Sequence, residues 1–143
     1  MTRALLDVNV LIALLDADHA LHERAREWFS ENAPSGWTSC PITQNGCVRI
    51  MSHPSYPNAL PVRLVLERLR EATQNPYHEF WTDDVSLLDP RMADATRIHG
   101  PRQVTDLYLL ALAVSRGGRF ATFDASVPVN AITGAERTHI VAL

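Results

Sequence analysis

Short apolar blocks alternate along the chain with longer segments in which apolar residues recur every three or four positions. The short blocks have the length and composition of buried parallel strands, and the longer segments have the period of amphipathic helices. The predicted strands cover residues 3–6, 37–40, 79–81, 119–123 and 138–143. Strands that alternate with helices in this way are typical of an α/β fold with a mostly parallel sheet and right-handed crossovers.

The helical segments are bounded by residues that commonly begin or end helices. Thr43 and Thr105 precede helical segments and are expected to be their N-caps, and Pro61 is expected to be a first helical residue. Gly117 and Gly118 are expected to end the last helix. A turn is expected at residues 7–9, and the predicted helices cover residues 10–15, 21–31, 44–51, 61–72, 92–98 and 106–116.

Size and charge limit the classes of protein that the sequence can encode. With 143 residues, of which 46% are hydrophobic, the chain fits one compact domain. The net charge of −3 argues against a simple DNA-binding module, because nucleic acid would have to be held by a local basic patch. Cys40 and Cys47 are expected to be reduced thiols of a cytoplasmic protein. Asp7 and Asn9 interrupt the first apolar run, so we expect no membrane segment.

Three aspartates fall where parallel strands end or helices begin. Asp7 follows the first strand, Asp106 lies in the first turn of a helix, and Asp124 follows a later strand. These positions share one edge of a parallel sheet, so we expect the three side chains to lie close together. Two carboxylates about 4 Å apart repel by roughly 4 kcal/mol at an effective dielectric constant near 20. The cluster therefore requires a positively charged partner.

The chain contains thirteen basic residues and all of them are arginines. With no lysine, the partner of the acids is either arginine or a metal ion, and an all-oxygen cluster favours Mg²⁺ or Mn²⁺. Such a site predicts metal-dependent hydrolysis of a phosphodiester. The absence of lysine disfavours a phosphoacceptor receiver domain and a haloacid-dehalogenase-like phosphatase, which both use lysine to hold the phosphoryl group.

Four segments, in order along nearly the whole chain, resemble the successive motifs of PIN-domain ribonucleases, and specifically of VapC toxins from VapBC toxin–antitoxin modules. They read LDVNVL at 6–11, CPITQNGCVR at 40–49, VTDLYL at 104–109 and TFD at 122–124. The resemblance implies a single PIN-like domain over residues 1–143, with a three-layer α/β fold and four to five mostly parallel strands. It also implies a Mg²⁺- or Mn²⁺-dependent endoribonuclease, an RNA substrate, a VapB-like antitoxin and a homodimer.

The same resemblance assigns roles to individual residues. It implies that Asp7 and Asp106 are the principal metal ligands and that Asp124 is a third catalytic acid, which completes the metal site or positions water. Asn9 and Thr105 would orient these carboxylates through hydrogen bonds.

Three further residues are placed near the acids. Gln44 stands where many members of the family carry a glutamate, and it supplies no charge, so we expect one tightly held ion. Arg49 and Arg102 flank the site in sequence and are expected to contact an RNA phosphate, although an ordinary surface charge explains both equally well. Gln44 also leaves open a catalytically silent protein that binds RNA or a protein partner. A phosphatase acting on small molecules has no recognisable pocket in this sequence.

Overall fold

The computed structural model of the protein describes residues 2–143 and contains one five-stranded sheet. The strands lie in the order β3-β2-β1-β4-β5, and every neighbouring pair is parallel. The central strand β1 therefore has its carboxyl end beside those of β2 and β4. The strands are β1 (Ala4–Leu6), β2 (Trp37–Ser39), β3 (His78–Phe80), β4 (Arg119–Thr122) and β5 (Ile140–Ala142).

Helices cover both faces of the sheet. Because side chains alternate along a strand, Leu5 and Phe120 pack on the α5 face, whereas Leu6 and Ala121 pack with the other helices on the opposite face. The predicted three-layer α/β fold is confirmed. The helices are α1 (Val8–Leu15), α2 (His22–Asn32), α3 (Pro41–Met51), α4 (Val62–Ala72) and α5 (Val104–Ser115). Within residues 2–143, every helix is too short or too polar to cross a membrane.

Several predictions about the helices are wrong. Pro61 is the N-cap of α4 and not its first residue, and α1 begins at Val8, so the turn expected over residues 7–9 is absent. The helix assigned to a Thr43 cap begins at Pro41, with Cys40 as its N-cap, and the Thr43 hydroxyl accepts the Cys40 N–H at 3.0 Å from within the first turn. Thr105 likewise lies inside α5, which is preceded by a 3₁₀ turn over Pro101–Gln103. The helix expected at 92–98 is reduced to a single 3₁₀ turn.

Helices α1 and α3 approach closely at Gly46. A Cβ atom built on Gly46 would lie 2.8 Å from Cγ2 of Val8, the first residue of α1. Val8 is β-branched and has little rotational freedom, so it cannot easily move aside. The absence of a side chain at position 46 therefore sets the distance between α3 and the turn that carries Asp7.

This contact predicts the effect of a single methyl group. Gly46→Ala should lower the free energy of unfolding by about 1 kcal/mol or more, since overpacking typically costs about 1–3 kcal/mol and outweighs the gain in helix propensity. Chemical denaturation measures this change. Gly100→Ala is the matched control, because a Cβ there meets nothing within 4 Å and its φ of −174° suits any residue. Equal stability of the two variants would contradict the proposed close packing.

Candidate active site

A cleft of about 430 Å³ opens at the carboxyl edge of the sheet, between α1, α3 and α5. Asp7, Asp106 and Asp124 all line it, although they are far apart along the chain. Asp7 is the N-cap of α1, directly after β1. Asp106 lies in the first turn of α5, and Asp124 follows β4. The structure thus brings the three predicted acids to one place.

Asp7 is the most deeply buried of the acids and is held from two sides. Its side chain is only 7% exposed. One carboxylate oxygen, Oδ1, accepts the Val8 N–H at 2.7 Å, and Oδ2 accepts the Thr122 hydroxyl at 2.8 Å. Burial raises the pKa of Asp7, these two hydrogen bonds oppose the rise, and the charge of Asp124 adds to it. Asp7 is therefore rigidly placed at a cost in desolvation.

Thr122 is a positioning residue that the sequence analysis missed. It is the last residue of β4, and its buried hydroxyl oxygen also accepts the Asp124 N–H at 3.1 Å. The same atom therefore contacts both Asp7 and the backbone of Asp124. The sequence signal was present in the TFD motif, where the threonine directly precedes the Phe-Asp pair, but only the acid was assigned a role.

Asp106 and Asp124 have opposite electrostatic environments. No hydrogen bond or ion pair engages the Asp106 carboxylate within residues 2–143, and burial together with the charges of Asp7 and Asp124 raises its pKa to about 6. Asp124 is exposed, and its Oδ1 accepts the N–H and hydroxyl of Ser126 at 2.8 and 2.6 Å. These bonds lower the pKa of Asp124. At neutral pH the cleft therefore carries concentrated negative charge.

The donor set in this cleft suits a hard divalent cation. Its ligand atoms are carboxylate oxygens, which Mg²⁺ and Mn²⁺ prefer. Over residues 2–143, no three histidine, cysteine, aspartate or glutamate side chains form a ready-made metal site. Mg²⁺ keeps several waters and is usually bound through one or two carboxylates, so two of these acids would be enough to hold it. The carboxylate of Asp106, which has no hydrogen-bond or ion-pair partner within residues 2–143, is the most available to bind such an ion.

The remaining predicted residues differ in whether they line the cleft and in what they contact. Asn9, Thr105 and Arg49 line the cleft with the acids. Asn9 and Thr105 form no hydrogen bond to the three carboxylates, so the orienting role expected of them falls to Thr122 and the Val8 N–H for Asp7. Arg49 is exposed and makes no ion pair with another residue of 2–143. Its guanidinium is therefore available to a ligand.

Gln44 lies outside this cleft, contrary to expectation. Its Nε2 donates to Ser39 Oγ at 3.0 Å, and it lines a different cavity between α3 and α4. The physical reason is helical phase, since Gln44 is about 200° around α3 from Gly46, which faces the acids. We therefore leave Gln44 out of the candidate site.

Two residues that no sequence signal indicated also line the cleft. His19 belongs to the turn after α1, and Tyr56 belongs to the loop between α3 and α4. The Tyr56 hydroxyl donates to Asp16 Oδ2 at 2.5 Å, which fixes the aromatic ring. Burial and this bond to Asp16 raise the pKa of Tyr56. Neither contact could be inferred from spacing, because both depend on how the loops fold onto α1.

Comparisons with known proteins show the family to which the chain belongs. The sequence model of the PIN domain matches residues 4–131. The chain is 54% identical over 141 residues to ribonuclease VapC44 of Mycobacterium tuberculosis, covering 99% of both chains. It is 48% identical over 128 residues to ribonuclease VapC38 of the same organism, covering 87% of this chain and 86% of that relative.

One solved structure has a similar fold. VapBC2 from Rickettsia felis, bound to a DNA fragment from its promoter, superimposes with a TM-score of 0.58 over 99% of this chain and 97% of that chain. At 9% sequence identity this likeness concerns the fold alone. The match of the family model over most of the chain and the identity to the mycobacterial proteins show that the chain belongs to the PIN-domain family and, within it, to the VapC group.

Proposed function

We propose that this protein is a metal-dependent endoribonuclease, the toxin of a toxin–antitoxin module. The similar mycobacterial proteins are named ribonucleases, and the cleft supplies a set of acids suited to phosphodiester hydrolysis. The observation that carries the proposal is the carboxylate of Asp106, partly buried beside Asp7 and Asp124 without a cationic partner in residues 2–143. The repulsion among these three carboxylates is offset when a cation binds.

In this proposal two of the acids bind the ion and the third positions a water. Asp7 and Asp106 would hold Mg²⁺ or Mn²⁺, and the bound ion would lower the pKa of a water and offset charge at the phosphate. Asp124 would orient a water through Oδ2, because Ser126 donates both of its hydrogen bonds to Oδ1. Thr122 keeps Asp7 and Asp124 in register, and Arg49 binds a phosphate of the RNA.

Partners and location follow from the same reasoning. The acidic cleft is complementary to a basic segment, so a VapB-like antitoxin would inhibit by placing arginine among the acids. We also propose that the protein is a homodimer and that it acts in the cytoplasm, where RNA is available. A silent binding protein is not favoured, because that alternative depended on Gln44 at the metal site and Gln44 lies in a separate cavity.

Removal of the unpartnered carboxylate tests the catalytic role directly. Asp106→Asn should reduce the RNA cleavage rate with Mn²⁺ by more than about a hundredfold, since loss of mere outer contacts to a metal ligand typically costs 10- to 100-fold. Cleavage of total RNA by the purified protein measures this. Asp84→Asn is the control, because Asp84 is an exposed carboxylate paired with Arg116 at 2.9 Å and lies outside the cleft. Comparable rates for both variants would refute the assignment.

Protonation and metal binding should compete at Asp106. Its pKa is about 6 in the folded protein against an ordinary 3.8, so the folded state binds more protons between these values. Protonated Asp106 therefore stabilises the folded state. This stabilisation is complete below pH 3.8 and is lost as the pH rises through 6. Metal-free wild type should therefore lose more stability than Asp106→Asn between about pH 5 and 7.

Calorimetry with and without Mn²⁺ completes this test. The ion needs an ionised carboxylate, so Mn²⁺ should raise the melting temperature more at about pH 7.5 than at about pH 5.5. An Asp106→Asn protein with the same pH dependence and the same Mn²⁺ response as wild type would contradict the role of this carboxylate.

Two arginines near the acids in sequence should behave differently. Arg49→Ala should raise KM for RNA severalfold and reduce the salt dependence of binding by about one phosphate contact, because Arg49 lines the cleft and lacks an ion pair within residues 2–143. The sequence alone led us to expect weaker RNA binding in Arg102→Ala as well, but Arg102 is exposed on a 3₁₀ turn beside α5 and does not line the cleft, so this variant should change neither quantity. Identical titrations for the two variants would remove Arg49 from the binding site.

A further inference from the structure

A second cavity, of about 370 Å³, adjoins the acid cleft. Arg49, Ile50 and Tyr56 line both spaces, so the two lie side by side. The second cavity is completed by residues of the loop between α3 and α4, namely His53, Ser55 and Pro57. Its volume falls within the range of roughly 300–1,000 Å³ that is typical of small-ligand sites. Nothing in the mechanism above uses it.

We propose that this second cavity binds the nucleobase adjacent to the cleaved phosphate, with Tyr56 as the aromatic surface and His53 as the hydrogen-bond donor. The inference rests on the proposed ribonuclease function and adds to it a site of base selection. Base stacking on aromatic side chains is a common way of holding single-stranded RNA, and hydrogen bonds to base edges give preference for particular bases.

The loop holds both side chains in place before any ligand binds. The Tyr56 hydroxyl donates to Asp16, and its backbone N–H donates to His53 O at 2.9 Å. Ser55 donates its N–H and its hydroxyl to His53 Nδ1, at 3.1 and 2.7 Å. A preorganised aromatic ring binds a base with little loss of conformational entropy.

The hydrogen bonds of His53 also determine which ring nitrogen can serve a ligand. Because the Ser55 N–H donates to Nδ1, the neutral imidazole carries its proton on Nε2. His53 is exposed, and Nε2 has no partner within residues 2–143. This N–H is therefore free to donate to an acceptor on a base.

Charge indicates the direction in which the RNA would leave the acid cleft. Arg49 and His53 line the second cavity, which contains no acid. Asp16 and Asp18 line two other cavities that Tyr56 borders, and Arg68 offsets only one of these two charges in one of them. Phosphates are therefore attracted to the second cavity more than to its two acidic neighbours. Arg49 lies where the two adjoining spaces meet, so it can contact the phosphate that links the cleaved position to the bound base.

The test compares base preference and kinetic constants across matched variants. Wild type, Tyr56→Phe, Tyr56→Leu and His53→Asn are incubated with total RNA and Mn²⁺, and the cleavage sites are mapped by sequencing. The RNA that wild type cleaves most is then used for kinetics. His53→Asn can still accept the Ser55 N–H in the turn but lacks the imidazole. Tyr77→Leu is the control, because Tyr77 is similarly aromatic, 44% exposed and outside both cavities.

Tyr56→Leu should raise KM by about tenfold with kcat nearly unchanged and should broaden the base preference beside the cleavage site, as expected for loss of stacking. Tyr56→Phe should retain the preference, because it keeps the ring. His53→Asn should alter the preference, and Tyr77→Leu should match wild type.

Two results would overturn the inference. One is an unchanged KM and unchanged preference in both Tyr56→Leu and His53→Asn, which would leave the cavity to a protein partner. The other is an equal loss in Tyr56→Phe and Tyr56→Leu, which would show that the hydroxyl and not the ring is required. If Tyr56→Leu does not fold, an unchanged base preference in His53→Asn or a loss of preference in Tyr56→Phe would each overturn the inference. Failure of wild type to cleave any RNA would instead refute the proposed function itself.

Discussion

Repulsion among carboxylates at the carboxyl edge of a parallel sheet is the constraint on which the rest of this structure depends. Asp7, Asp106 and Asp124 reach one cleft because β1 and β4 are neighbouring parallel strands and α5 begins at the same edge. The protein does not offset this repulsion with arginine. It uses Thr122 and a backbone N–H to hold Asp7, and Ser126 to hold Asp124, and it leaves Asp106 with a raised pKa.

The sequence was sufficient to predict the architecture and the convergence of the acids. Apolar blocks located all five strands to within two residues at each end, and the parallel sheet then required strand ends to meet. Boundaries of helices were less predictable. Thr43 and Thr105 are good capping residues by type, yet proline at position 41 and the 3₁₀ turn before α5 start these helices earlier.

Residues that depend on packing could not be predicted. The resemblance placed Gln44 near the metal by its position in a motif, but the face that α3 turns toward the acids is set by the contact between Gly46 and Val8. Tyr56 lies nearly fifty positions from Asp7 and enters the cleft only because its loop folds against α1 and Asp16. Such contacts are properties of tertiary structure and have no local signature.

The close approach at Gly46 also limits how the acidic cleft can change. Any side chain at this position would have to occupy the space now filled by the Val8 methyl group, 2.8 Å away. The part of α3 that packs on Val8 is thus closed to an additional carboxylate, and a fourth acid on this helix would fit only one helical turn further on, at Arg49 or Ile50. In this chain, tight helix packing therefore restricts which charged side chains can be added to the cleft.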